Sequence, residues 1–197
     1  MVLLPAVLFG LIAGAIRASI GKRAFVIPNL VGVWLVIVAF IPQWVIFFLP
    51  LGQGWASDEI AAAALVTSQC LLLLFTWLNR ALFAFWVLGL GLILNLLVIG
   101  ANGGLMPISP ETLQRAELAL PTEELEIGER VGGSKDILLP AEQTHFEWLA
   151  DRFVLPNRLP FNFAYSAGDV FIAVGAFWLL WACGGPKADK FVRPVQP

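Results

Sequence analysis

The chain has little charge for its length. Only 13% of its 197 residues are Asp, Glu, Lys or Arg, whereas 59% are hydrophobic, and the mean hydropathy is +0.83. So few charges do not cover the surface of a water-soluble globule of this size. The charges are also segregated, because residues 1–105 carry four basic and two acidic groups and residues 111–152 carry four basic and ten acidic ones. This pattern predicts an integral membrane protein, and the lack of a basic patch excludes a nucleic-acid-binding surface.

Residues that bind metals or cofactors are also scarce. His145 is the only histidine, and the two cysteines, Cys70 and Cys183, lie far apart in the chain. We find no zinc-ligand spacing, no phosphate-binding loop and no H-E-x-x-H motif, and we expect no disulfide. The sequence therefore predicts no bound cofactor, no metal and no catalytic residue.

Long uncharged runs are what the chain does have. A membrane core of about 30 Å needs roughly 20 apolar residues in a helix. Five runs meet or approach this length, and they predict an all-α integral membrane fold: a five-transmembrane-helix bundle forming one domain, residues 1–197. The runs are Met1 to Ile16, with its helix extended to Ile20, Ala24–Ser57, Ile60–Asn79, Ala81 up to Glu111, and Leu159–Gly185, which only Asp169 interrupts.

Basic residues near the helix ends set the orientation. Arg17, Lys22 and Arg23 follow the first run, and Arg80 lies between the third and fourth. Because cytoplasmic loops are enriched in Lys and Arg, these groups belong inside and the amino end outside. Residues 102–160 then form an acidic extracytoplasmic segment between helices 4 and 5.

Two patterns predict how the helices are built. Gly10 and Gly14 form a small-xxx-small face on the first helix, which favours close packing within the molecule. Pro28 near the start of the second helix and Pro42 inside it predict an irregular helix.

The extracytoplasmic segment carries helical patterns of its own. Ser109–Leu120 begins with a capping residue and a proline and predicts a short amphipathic helix. Gly128–Ser134 reads as a turn. Ala141–Phe153 predicts a second short amphipathic helix, with Phe146, Leu149 and Phe153 on one face.

Polar residues are rare at membrane depth and therefore informative. Asn95 and Asn102 are seven residues apart, hence on one helical face. Ser166 and Asp169 fit a helix start, so Asp169 is a helix cap, a functional acid or both. Gln43 and Gln69 are further amides in apolar runs, interpreted as helix-to-helix hydrogen bonds. The candidate structural or functional cluster is Asn95, Asn102, Gly103, Gly104, Ser166 and Asp169, which we expect at the outer leaflet.

Two of these stretches resemble a known family. Asn102-Gly-Gly-Leu-Met-Pro107, preceded by Asn95, and Ser166-Ala-Gly-Asp-Val170 are similar to motifs of a bacterial membrane family, domain-of-unknown-function family 5317. The resemblance implies a multi-pass protein of the bacterial inner membrane. It implies no mechanism.

A second likeness is weaker. Phe161-Asn-Phe-Ala-Tyr-Ser166 is similar to a motif of lipoprotein signal peptidases, which are membrane aspartyl proteases. That chemistry needs two carboxylates sharing a proton. Tyr165 takes the place of the expected acid, and Asp151 is the one further acid that can approach Asp169.

We therefore expect a non-catalytic multi-pass membrane protein that serves as an accessory or scaffold subunit of a larger membrane assembly, with the lipid bilayer and other membrane subunits as partners. A small membrane enzyme acting on lipid or lipoprotein, and a small-solute carrier, stay open as alternatives.

Overall fold

The computed structural model describes residues 2–49, 56–116, 125–154 and 163–186 of the chain, and most of these are helical. Apolar segments form helices because a helix pairs its backbone groups internally, which a lipid environment requires. Five helices are apolar: α1 (Leu3–Ile20), α2 (Val33–Phe47), α3 (Asp58–Leu78), α4 (Phe83–Ala101) and α6 (Ala167–Ala182). Three of them, α1, α3 and α4, are long and apolar enough to cross a membrane, whereas α2 and α6 have 15 and 16 residues. The helical membrane class is therefore supported.

Helix α2 begins nine residues later than its run predicted. Residues 23–30 have no regular secondary structure, and the cap residue Gly32 is left-handed with φ 72°. Pro28 disfavours helix at the residue before it. The side chain of Asn79 then holds the turn before α2, since it accepts from the amide of Val31 and donates to the carbonyl of Val31, both at 2.9 Å. Pro42 lies inside α2, as predicted.

The apolar helices pack in the order α1, α6, α4, α3, α2. Glycines make the closest approaches. Gly10 and Gly14 are buried, and a Cβ placed on either would meet backbone atoms of α6. The prediction that these glycines pack within the molecule is confirmed.

The segment between α4 and α6, residues 102–166, contains several short elements, and we call it the outer segment after the side predicted for it. Strand β1 (Met106–Ile108) pairs in parallel with β2 (Asp136–Leu138), and β3 (Phe153–Val154) pairs antiparallel with β4 (Ala164–Tyr165). The predicted helix after Ser109 is present as α5 (Pro110–Arg115), and the amide of Thr112 donates to the Ser109 hydroxyl at 3.2 Å. The rest of that prediction, 117–120, and the predicted start of the last helix at Leu159 lie outside the described residues.

The prediction of a second amphipathic helix over Ala141–Phe153 is wrong. The segment contains two three-residue 3-10 turns, Ala141–Gln143 and Glu147–Leu149, separated by Phe146 at φ 57°. Leu149 is buried, whereas Phe146 and Phe153 are largely exposed, so the three do not share a face. The physical reason is that His145 gives its backbone hydrogen bonds to Asn102, and Phe153 pairs with Tyr165 in a sheet.

Candidate functional site

Three of the predicted cluster residues meet between α4 and α6. Asn95 lies in α4, and its amide donates to Asp169 Oδ1 at 3.0 Å. The Ser166 hydroxyl donates to Asn95 Oδ1 at 2.8 Å. Gly168 makes this approach possible, because Asn95 Oδ1 occupies the place that a Cβ on Gly168 would take. The two helices are thus joined by side-chain hydrogen bonds where α6 begins.

Ser166 and Asp169 also begin α6. The amide of Asp169 donates to the Ser166 hydroxyl at 3.0 Å, and the Ser166 amide donates to Asp169 Oδ2 at 3.4 Å. This is the reciprocal capping arrangement that satisfies two backbone donors at a helix start. Asp169 is therefore a helix cap, and its other oxygen faces Asn95.

The other three cluster residues form a separate group where α4 ends. The Asn102 side chain donates to the carbonyls of Val98 (2.7 Å) and His145 (2.9 Å) and accepts from the His145 amide at 2.9 Å. Gly103 and Gly104 follow with φ of 79° and 88°, values that favour glycine. Asn102 therefore holds the outer segment, and the bonds described here join Asp169 to Asn95 rather than to Asn102.

A cavity of about 250 Å³ lies beside the Asn95–Asp169 pair. Side chains from all five apolar helices line it, and Met106 of β1 and Lys135 of the outer segment lie at its rim. Its polar lining residues are Gln43, Gln69, Asn95, Lys135 and Asp169. By volume it would hold about eight water molecules at roughly 30 Å³ each. The amides noted at membrane depth in the sequence therefore converge on one space.

Gln69 is unusual among these residues. Its side chain is 8% exposed, and its Oε1 is buried without a hydrogen-bond partner in the described part of the chain. Leaving such a group unpaired costs about 1–3 kcal/mol. Gln69 thus carries a buried side-chain oxygen that the described part of the chain leaves unpaired.

Charged residues of the outer segment form a compact group above the cavity. Lys135 Nζ lies 2.8 Å from Asp136 Oδ1 and 2.5 Å from Asp151 Oδ2. The Asp151 side chain is 1% exposed. Burial, with smaller contributions from the charges of Asp136 and Asp169, raises the pKa of Asp151 to about 7, although Lys135 opposes the shift. Asp151 therefore exchanges a proton near neutral pH.

The sequence reasoning missed Lys135 and Asp136. The one available signal was that Lys135 is the only lysine between Glu111 and Arg152. What brings it to the cavity is the parallel pairing of β1 with β2, in which the Met106 amide donates to the Lys135 carbonyl at 3.0 Å.

Residues 28–181 match a protein family described as a family of unknown function, DUF5317. The chain belongs to this family. No curated protein and no solved structure matches the chain.

The matched region of this DUF5317 protein contains all five polar residues of the cavity, whereas α1 lies outside it. Among the described residues, no group of three or more His, Cys, Asp or Glu side chains is placed to hold a metal ion. The polar groups that line the cavity are three side-chain amides, one ammonium and one carboxylate.

Proposed function

We propose that this DUF5317 protein is a five-span inner-membrane protein whose outer-leaflet cavity binds a small polar solute without transforming it. The observation that carries the proposal is the cavity itself, where five polar side chains face one space and Gln69 Oε1 has no partner within the described ranges. Ligand pockets combine a mostly apolar wall with a few convergent polar groups, and this cavity has that composition.

The topology belongs to the same proposal. Helices α2 and α6 are shorter than the other three, because α2 begins only at Val33 and α6 begins only after strand β4. With five spans, Arg17 at the end of α1 and Arg80 after α3 share the inner side, as the distribution of basic residues favours. Asp169, Asn95 and Lys135 then lie toward the outer face.

Labelling tests the topology. In a background with Cys70 and Cys183 replaced by Ser, a cysteine at the exposed Glu142 should react with an impermeant thiol reagent on intact cells. A cysteine at the exposed Gly21 should react only after lysis. The reverse pattern would contradict the orientation.

Catalysis is less well supported than binding. An aspartyl protease needs two carboxylates that share a proton. Asp151 has a raised pKa, but its Oδ2 accepts from Lys135, and Asp169 is held by Asn95 and the Ser166 amide. Each acid thus has its own partners, an arrangement that favours a binding site.

Mass spectrometry of small molecules extracted with the protein tests solute binding. We expect a solute that accompanies the wild type from native membranes in mild detergent and is lost when Ile172→Trp fills the cavity. A matched control, Ile93→Trp on the exposed side of α4, should retain it. If wild type and Ile172→Trp carry the same small molecules, the cavity is not the binding site. A stoichiometric protein partner in these preparations would support the accessory-subunit role.

A further inference from the structure

The charge around the cavity is not balanced. Lys135 is the one cationic residue in the lining, and its ammonium is already paired with Asp136 and Asp151. Asp169 lies close enough to Lys135 for their charges to attract each other, but it forms no ion pair among the described residues. Even when Asp151 is protonated, Asp136 and Asp169 together carry one negative charge more than Lys135 balances, and the Asp169 carboxylate that lines the cavity is held only by neutral donors.

One neutral group of the cavity, Gln69, leaves a hydrogen-bond acceptor unpaired, whereas Asn95 does not. Asn95 uses its amide nitrogen on Asp169 and its oxygen on Ser166. Gln69 Oε1 accepts from no described residue although the side chain is more than nine-tenths buried. Buried acceptors and an excess of negative charge both call for a ligand that donates protons and carries positive charge.

We infer that the cavity binds a small organic cation through its ammonium group, with Asp169 and Gln69 as the receiving residues. This inference rests on the proposed solute-binding function and names the chemical class of the solute. The ammonium donates to the Asp169 carboxylate, which is a charge-assisted arrangement, and to Gln69 Oε1 once rotation of the Gln69 amide exposes this buried oxygen to the cavity. The rest of the molecule packs on the apolar lining from Leu65, Leu72 and Ile172.

The size of the cavity limits which organic cations can fit. About 250 Å³ is far more than a dehydrated metal ion fills and less than a phospholipid needs. It suits a molecule of a few carbon atoms with one ammonium and a second polar group. The Gln43 amide, which also lines the cavity, makes no hydrogen bond with the described residues and can receive that second group.

Three probes of similar size test the charge requirement. Ethanolamine carries an ammonium, ethylene glycol carries a hydroxyl in place of that ammonium, and glycolate carries a carboxylate in place of the aminomethyl group. Each is added to purified full-length protein in detergent while thermal unfolding is followed by tryptophan fluorescence, with sodium chloride as the salt control. We expect ethanolamine alone to raise the unfolding temperature in a saturable way, because ligand binding to the folded state stabilises it.

Substitutions in the cavity test whether ethanolamine binds there. Asp169→Asn keeps a good capping side chain and should weaken ethanolamine binding on the order of tenfold or more, the loss expected for a charge-assisted hydrogen bond. Gln69→Met should weaken binding less and serves if Asp169→Asn does not fold. Glu142→Gln removes one charge from an exposed site away from the cavity and should bind as the wild type does.

The possible outcomes separate this inference from the proposed function. If ethylene glycol, glycolate or sodium chloride stabilises the protein as strongly as ethanolamine does, the inference that the ligand is a cation is wrong. The proposed solute-binding site would still stand. If ethanolamine has no saturable effect, or if its effect is equal in wild type and both cavity variants, the inference is overturned. Loss of the proposed function itself would be seen separately, as the absence of any small molecule that Ile172→Trp displaces.

Discussion

The two ends of the α4–α6 contact are built in different ways. At the end that we propose to be inner, Gly175 packs directly on the backbone and side chain of Leu88, and the contact depends on shape. At the proposed outer end, Asn95, Ser166 and Asp169 join the same helices by hydrogen bonds beside an open cavity. Without a hydrophobic driving force between helices in lipid, close packing and hydrogen bonds are the two ways to hold helices together. In this molecule close packing holds one end, and hydrogen bonds hold the end beside the cavity.

The largest effect is expected from filling the inner contact. A Cβ on Gly175 would lie 2.7 Å from Leu88 Cγ and 2.8 Å from the Leu88 nitrogen, so Gly175→Val must move a helix backbone. We expect the free energy of unfolding, measured by denaturant titration in detergent, to fall by about 3 kcal/mol or more.

Gly100→Ala on α4 is the matched control for this substitution. A Cβ there meets nothing within 4 Å, and alanine favours helix by up to about 1 kcal/mol. If both variants lose the same free energy of unfolding, the packing of Gly175 on Leu88 is no closer than the surroundings of an exposed glycine.

Proton binding at Asp151, which lies in the outer segment, should make the stability of the protein depend on pH. Its pKa of about 7 is above the usual value, so the folded state binds a proton more tightly than the unfolded chain does. Stability from this group is therefore present at low pH and is lost as the pH rises from about 4 toward 7. Relative to Asp151→Asn, the wild type should lose thermal stability between pH 5 and pH 8. Parallel curves for the two proteins would contradict a buried, titrating Asp151.

Local patterns were easier to predict than contacts between distant segments. Small residues four apart, such as Gly10 and Gly14, and the capping pattern from Ser166 to Asp169 can be recognised in the sequence. The cavity depends on pairs distant in the chain, such as Met106 with Asp136, and on helix order. No local periodicity records these contacts. The same holds for Asn79, whose side chain binds the backbone of Val31 and delays the start of α2.

Gly168→Ala tests whether the hydrogen-bonded contact needs its glycine. The added methyl group would collide with Asn95 Oδ1 and would lie 2.7 Å from the Gly91 carbonyl oxygen, so we expect a loss of about 1–3 kcal/mol in the free energy of unfolding. In an Asn95→Ala background the same substitution should be less destabilising, because the nearest colliding atom has been removed and only the contact with Gly91 is left. A double-mutant cycle measures this coupling, and additive losses would mean that Gly168 is required for another reason.

The smallest effect is expected from Asn95→Leu. An interhelical hydrogen bond in a membrane contributes about 0.6–2 kcal/mol, and Asp169 keeps its bond from the Ser166 amide when Asn95 is lost. The variant should therefore insert normally and unfold at a modestly lower denaturant concentration than the wild type, but at a higher one than Gly175→Val.

If Asn95→Leu is as destabilising as Gly175→Val, the outer contact stabilises the bundle as much as the inner one, and the contrast between the two ends is wrong. If its stability is unchanged while the response to ethanolamine disappears, Asn95 serves the ligand rather than the bundle. The intermediate result, a small loss of stability with weaker ethanolamine binding, is the one we expect, because the Asn95 side chain positions Asp169 at the edge of the cavity.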